Sequence, residues 1–224
     1  MKKIIAVDFS GTLVREIASD KAHYEWFAIM AAALKDESIK KYAGTKDYFP
    51  KIYEVMERYT GLNKEKELDK VLMTKFARNL FQMSFIGMAN KLKDKLLVKE
   101  FADYLKKLKT EGYEIDLVTT APEDSVIPIL EIVGCEDLFN FIYKSPLTRK
   151  PSKYELLNEF IKDKEKPLCY ICNENEDVIV CKELEVTSIL VTWDKTTDQK
   201  FRKLADYVIN NVDELKRIID KLSK

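Results

Sequence analysis

Apolar and polar positions along the chain follow two different periods, and the change falls near Gly112. Residues 4–9 are apolar and partly β-branched apart from Asp8, which predicts a central strand. From residue 21 to 94 no convincing strand occurs, and apolar residues recur at helical spacing. One helix is expected over residues 20–34, with Asp20 as its N-cap. A second covers 49–59 and ends near Gly61, and a longer third runs from 66 to about 88. The next, about 96–109, places Leu97, Phe101, Tyr104, Leu105 and Leu108 at helical spacing. Beyond Gly112, strands expected at 114–119, 139–143, 168–172, 187–193 and 205–209 alternate with helices at 125–133, 152–162, 176–184 and 213–224. Such alternation predicts an α/β fold, a doubly wound parallel sheet with helices on both faces. The helical block then reads as an insertion after the first strand, with residues 1–14 and 96–224 forming the α/β core and 15–95 the insertion.

Composition narrows the function. Lys plus Arg and Asp plus Glu each number 38, so formal charge is zero, which argues against a dedicated nucleic-acid or membrane-surface protein. No apolar run approaches the roughly 18 residues that span a bilayer. The opening MKKIIAVDFS reaches a charge at Asp8 and is no signal peptide, so a cytoplasmic location is expected. Abundant Lys and Glu, with Gln only at 82 and 199, lean towards a thermophile's usage, although an AT-rich genome also raises Lys. Of four cysteines, Cys169 and Cys172 form a CxxC, but residues three apart on a strand face opposite sides. No second CxxC exists and His23 is the only histidine, so the cysteines read as small buried hydrophobes.

In an open α/β sheet, ligands bind beyond the carboxyl ends of the strands. Asp8 ends the first strand and Thr119-Thr120 the second. Arg149-Lys150-Pro151 follows the third, and Asn173-Glu-Asn-Glu-Asp177 the fourth. Carboxylates, hydroxyls and an ammonium facing one crevice suit a phosphorylated ligand with Mg²⁺.

Taken in order, these residues resemble the motifs of the haloacid dehalogenase-like hydrolases. The first motif, D-x-D-G-T after a strand, is matched by Asp8-Phe9-Ser10-Gly11-Thr12. The strand-end Thr or Ser is matched by Thr119, the Lys often followed by Pro by Lys150-Pro151, and the acidic fourth motif by the run from Asn173 to Asp177. The helical block stands where the family carries its first-type cap on a Rossmann-like core. The resemblance implies a hydrolase, acting with Mg²⁺ on a small phosphorylated metabolite through an aspartyl intermediate.

Residue by residue, it makes Asp8 the nucleophile and a metal ligand, although D-x-S-G-T is also good turn chemistry. Gly11 and Thr12 shape the loop and offer N–H groups to an anion. Thr119, with Thr120 beside it, binds the phosphate. Lys150 neutralises charge at Asp8, while Arg149 is a surface residue. Asp177 holds the metal or orients the lysine, and the metal set is Asp8, the Ser10 carbonyl, Asn173 and Asp177. Two departures stand out. Asn173 replaces a carboxylate, and Ser10 replaces the Asp that protonates the leaving group and activates water. Family members lacking that Asp include metal-free dehalogenases, and phosphonatases that use a cap lysine; Lys46 and Lys51 are the candidates for that lysine here, against the more ordinary reading of solvated helix lysines. Of the cap residues, His23, Trp26, Arg58 and Arg78 are candidates to meet the substrate, against core packing or surface charge. Two readings follow: a phosphatase, or a catalytically weakened protein that binds a phosphorylated ligand or a partner protein.

Overall fold

β1 (Ile4–Val7) is buried at every position, which a strand achieves only at the centre of a sheet covered on both sides. A computed structural model describes residues 3–45, 48–194 and 199–223 of the chain; the candidate Lys46 lies outside them. After β1 come α1 (Ile17–Leu34), a 3₁₀ helix (Glu37–Tyr42), α2 (Tyr48–Thr60) and α3 (Glu67–Leu96), all without a strand. Then follow α4 (Lys99–Thr110), β2 (Glu114–Pro122), α5 (Glu123–Ile132), β3 (Phe141–Ser145), α6 (Lys153–Asp163), β4 (Cys169–Cys172), α7 (Asn175–Glu183), β5 (Ser188–Val191), α8 (Gln199–Arg202), β6 (Tyr207–Ile209) and α9 (Val212–Leu222).

The six strands are all parallel, in the order β3-β2-β1-β4-β5-β6. Side chains alternate across the sheet. Ile5 and Val7 face a cluster with Phe101, Leu105 and Ile219, whereas Ile4 and Ala6 face Leu157, Phe160 and Tyr170. The same alternation separates the CxxC pair, with Cys169 on the first face and Cys172 on the second. All four cysteines are free and buried. Strand order reverses between β1 and β4, so their carboxyl ends open a crevice at the topological switch point.

The helical block packs around Trp26, Phe27, Met30, Ile52, Val55 and Met73. It is not a separate body hung on a linker, because α1 and α3 each enter two clusters. Ala18 and Ala22 of α1, and Phe85 and Ala89 of α3, pack in the sheet's own core. Its two connections are pinned side by side: Arg15 N–H donates to Leu96 C=O at 2.7 Å and Val98 N–H to Leu13 C=O at 3.0 Å. α1 begins at Ile17, so Asp20 lies inside its first turn rather than at the N-cap. The earlier start is set from the core, where the Asp194 carboxylate accepts from Glu16 N–H at 2.8 Å and pairs with Arg15. No helix among the described residues is long and apolar enough to cross a membrane.

One buried charge sits away from the crevice. Asp116 on β2 is fully buried, and neither carboxylate oxygen has a hydrogen-bond partner. Burial, and then the neighbouring Glu114, push its carboxyl up to about 6. The folded chain therefore holds this proton more tightly than the unfolded chain. Stability falls as pH rises between about 4 and 6, and the penalty is complete above that window. Asp116→Asn should stabilise the protein by about 2 kcal/mol at pH 7.5 and leave it unchanged near pH 4. Thermal melts at the two pH values check this; equal shifts at both would contradict it.

Candidate active site

The loop after β1 is wound around one carbonyl. Phe9 C=O accepts from Leu13 N–H and Val14 N–H, each at 3.0 Å, while Gly11 N–H donates to Val14 C=O at 2.6 Å. Phe9 is buried edge-on against Phe85 of α3, 6.3 Å between centroids, which anchors the loop from below. Gly11 is required on two counts. Its φ is +76°, and a Cβ there would lie 1.9 Å from the Asn173 side-chain amide.

This winding leaves Asp8 at the end of β1, its N–H still in the sheet on Ile171 C=O at 2.9 Å. The residue is 5% exposed. Its Oδ1 accepts from Lys153 Nζ at 2.7 Å, and the same Nζ lies 3.1 Å from Asp177 Oδ1 and donates to Tyr170 Oη at 3.1 Å. Tyr170 Oη in turn donates to Val118 C=O at 3.0 Å. Asp177 Oδ2 accepts from Glu174 N–H at 3.2 Å. Burial alone would lower the Lys153 ammonium, but the charges of Asp177 and Asp8 outweigh it and hold the lysine above its ordinary range. Asp177 is raised, because full burial, together with Asp8's charge, is not offset by an ammonium that two carboxylates share.

The ammonium at Asp8 thus belongs to Lys153, which corrects the assignment of that place to Lys150. Ser152 explains the shift. It caps α6, accepting from Glu155 N–H at 3.1 Å while Glu155 Oε2 accepts from Ser152 N–H at 2.7 Å. Lys153 is then the first residue of the helix and turns under the strand ends. Lys150 lies outside the cap, where its Nζ donates to Tyr48 Oη at 3.0 Å and stands 4.9 Å from that ring's centroid. It meets the helical block and borders the crevice from above. Arg149 lies at the surface, 3.2 Å from Glu159.

β2 runs on past the expected end at 119, so Thr119 is buried inside the strand, three residues before Pro122 and where its pairing with β3 shifts register, its Oγ1 accepting from Ala121 N–H at 3.1 Å. Thr119 and Thr120 border the same cavity as Asp8 and Ser10, a space of about 610 Å³ between the sheet's edge and the helical block. Trp26 and Arg78 border it from the helical side. His23 packs among Trp26, Phe27, Tyr48 and Phe81, and burial, then Lys150, lowers it to about 4. Arg58 and Lys51 lie in surface ion pairs with Asp36 and Glu54. Reading the residues alone missed Lys153 and Tyr170. The signal for the lysine was the capping box, Ser152 with Glu155, immediately around it.

Metal fit turns on Asn173. Among the described residues no group of three His, Cys, Asp or Glu side chains is placed to hold a metal. Oxygens of mixed kind do converge. One terminal atom of the buried Asn173 amide lies 2.9 Å from Ser10 C=O and 3.3 Å from Asp8 Oδ2. With nitrogen in that place, both oxygens are satisfied as acceptors without a cation. With oxygen there, Thr12 Oγ1 donates to it at 3.4 Å and three oxygens face one another, an arrangement that suits a hard cation between them. Asp8, the Ser10 carbonyl and Asn173 therefore fit Mg²⁺. Asp177 is instead turned to Lys153, its Oδ1 3.1 Å from the Nζ.

The first, second and fourth expected motifs meet at one crevice in one fold, and the third arrives through Lys153. A model of the family described as haloacid dehalogenase-like hydrolase matches residues 8–191, and the chain belongs to that family. No curated protein matches the sequence significantly. Among solved structures, a predicted phosphatase from Clostridium acetobutylicum is similar, with a TM-score of 0.68 at 19% identity over 98% of this chain and 99% of the other. A β-phosphoglucomutase from Clostridium difficile gives 0.67 at 16% identity, covering 100% and 98%. A predicted phosphoglycolate phosphatase from Haemophilus somnus gives 0.63 at 14% identity, covering 97% and 98%. At these identities the likeness is one of fold.

The amide yields a prediction independent of activity. Asn173→Asp places a carboxylate against Asp8 and the Ser10 carbonyl, with no N–H edge to offer them. In chelator the variant should melt several degrees below wild type, from about 1–3 kcal/mol of repulsion and lost hydrogen bonding, and Mg²⁺ should restore it. A variant that melts like wild type in chelator would place residue 173 outside the cluster.

Proposed function

We propose that the protein is a phosphatase that hydrolyses a small phosphorylated metabolite through an aspartyl intermediate at Asp8. One observation carries the reading: a carboxylate at the switch point, buried, aimed at a cavity and held by Lys153 Nζ at 2.7 Å. Several similar structures bear the name phosphatase, which supports phosphoryl chemistry over halide chemistry.

In the first step an Asp8 oxygen attacks phosphorus. The ester P–O bond breaks, the leaving oxygen departs as an alkoxide that takes its proton from solvent water, and an acyl phosphate remains. Lys153 holds Asp8 in one orientation, and Asp177 and Tyr170 hold Lys153. Thr119 stands where its hydroxyl meets phosphoryl oxygens. Water then attacks the acyl phosphate, releasing phosphate and returning the carboxylate. Mg²⁺, when bound by Asp8, the Ser10 carbonyl and Asn173, supplies positive charge for the phosphoryl oxygens. Helices α1 to α3 serve as the cap that closes over the substrate.

Ser10 sets the rate. It borders the cavity where the leaving alcohol departs, and a hydroxyl neither protonates that alcohol nor activates water efficiently. This favours good leaving groups, and it is the observation behind the second reading, a weakened enzyme that mainly binds its ligand. Ser10→Asp should raise turnover of alkyl phosphates by roughly 10²-fold or more, and of nitrophenyl phosphate far less. Asp8→Asn should abolish both. Steady-state assays on the four combinations decide: an equal gain for both esters would refute the missing-acid account. Appreciable turnover by Asp8→Asn would refute the covalent route.

A further inference from the structure

Asp8 becomes phosphorylated only when the leaving oxygen departs, and Ser10 offers that oxygen no carboxyl proton. An oxygen that leaves unprotonated must be a weak base. An alkyl alcohol holds its proton much as water does, to about 16, whereas a phenol such as that of tyrosine releases it at about 10. A carboxylic acid releases its proton lower still, at about 4. Aryl phosphates and acyl phosphates both meet the requirement, and the wall of the cavity chooses between them.

A chain of rings runs along that wall. Ring centroids lie 5.1 Å apart for Phe49 and Tyr48, 5.7 Å for Tyr48 and Trp26, 5.6 Å for Trp26 and Phe81, and 5.8 Å for Phe81 and Phe85. Phe85 then reaches Phe9, the neighbour of the nucleophile, at 6.3 Å. These are the spacings of packed aromatic pairs. All but Phe9 border the cavity. Trp26 and Phe85 are buried and back the wall, whereas Tyr48, Phe49 and Phe81 are half-buried and keep ring surface accessible. Charged groups at the cavity are engaged within the protein: Arg78 with Ser145 Oγ and Thr120 C=O, Lys150 with Tyr48, and Glu155 with Ser152. An aromatic leaving group covers the accessible rings and packs offset or edge-on against them, a gain that an alkyl or short acyl group lacks. We propose that the substrate is a small aryl phosphate, its ring seated against Tyr48, Phe49 and Phe81 and its phosphoryl group at Asp8. The proposal rests on the phosphatase reading and names the substrate class for it. A cavity of about 610 Å³ beneath the helical block is of a size that takes a small molecule. The bond between phosphorus and the ring's oxygen breaks with its electron pair on that oxygen. The aryl oxide takes a proton from solvent water, and water hydrolyses the acyl phosphate on Asp8.

Calorimetry on the Asp8→Asn protein with phenyl, cyclohexyl and methyl phosphate tests the ring seat without turnover. Phenyl phosphate should bind about tenfold or more tightly than methyl phosphate. It should bind about three- to tenfold more tightly than cyclohexyl phosphate, which matches it in size but is not aromatic. Adding Phe81→Leu should bring the phenyl and cyclohexyl esters to within about twofold of each other. Adding Phe49→Leu should narrow the preference as well, and serves if the Phe81 variant does not fold. In steady-state assays of the wild type, kcat/KM for phenyl phosphate should exceed that for cyclohexyl phosphate by roughly 10²-fold or more, because leaving-group acidity adds to fit. Equal binding of the phenyl and cyclohexyl esters overturns the ring seat and leaves the phosphatase reading standing. A preference that neither Phe variant reduces, or equal turnover of the two esters, also overturns it. Binding of none of the three, with no turnover by the wild type, overturns both.

Discussion

Two buried carboxylates sharing one ammonium is the constraint on which the crevice depends. Asp8, Asp177 and Lys153 are each almost wholly removed from water, and three such charges are tolerated only in contact. Lys153 Nζ reaches both acids, at 2.7 and 3.1 Å, and takes Tyr170 Oη as a third partner. The ends of β1 and β4, the start of α6 and the first turn of α7 are thereby pulled to one point. The triad still carries one net negative charge. Burial, and then the charge of Asp8, raises Asp177, and the excess of acids over the one ammonium favours whatever positive charge next enters the site.

Everything that brings these groups together is local and inexpensive. The reversal of strand order opens a gap between β1 and β4 without any special residue. A capping box at Ser152 and Glu155 sets the first turn of α6, and with it the direction of Lys153. Gly11 lets the loop from Asp8 pass within contact of Asn173. The helical block then closes the opposite side, and Lys150, freed from the triad, ties that side to the core through Tyr48.

Much of this is legible in the residues alone. The change from helical period to strand–helix alternation at Gly112 locates the sheet, because buried parallel strands must be continuous apolar runs. The polar residues that interrupt those runs mark Asp8, Thr119 and Asn173, since ligands meet a parallel sheet at its carboxyl ends. Lysine is where the reading slipped. Lys150 and Lys153 differ little in local composition, and only the geometry of a helix cap decides which of them turns inward. Tyr170 was hidden by its setting, a strand so apolar that its hydroxyl looked incidental. For Arg78 helical spacing leaves a substrate contact and surface charge both open, because it does not reveal that its face meets the ends of β2 and β3.

The claim that Lys153, and not Lys150, holds Asp8 is open to a direct measurement by double-mutant cycle in urea. Lys153→Met alone should cost about 3–5 kcal/mol, since it strands buried carboxylates. With Asp8→Asn already in place it should cost less, giving a coupling energy of about 1–3 kcal/mol. The matching cycle between Lys150→Met and Asp8→Asn should be additive to within about 0.5 kcal/mol. Coupling of Asp8 to Lys150 with none to Lys153 would contradict the account at its centre.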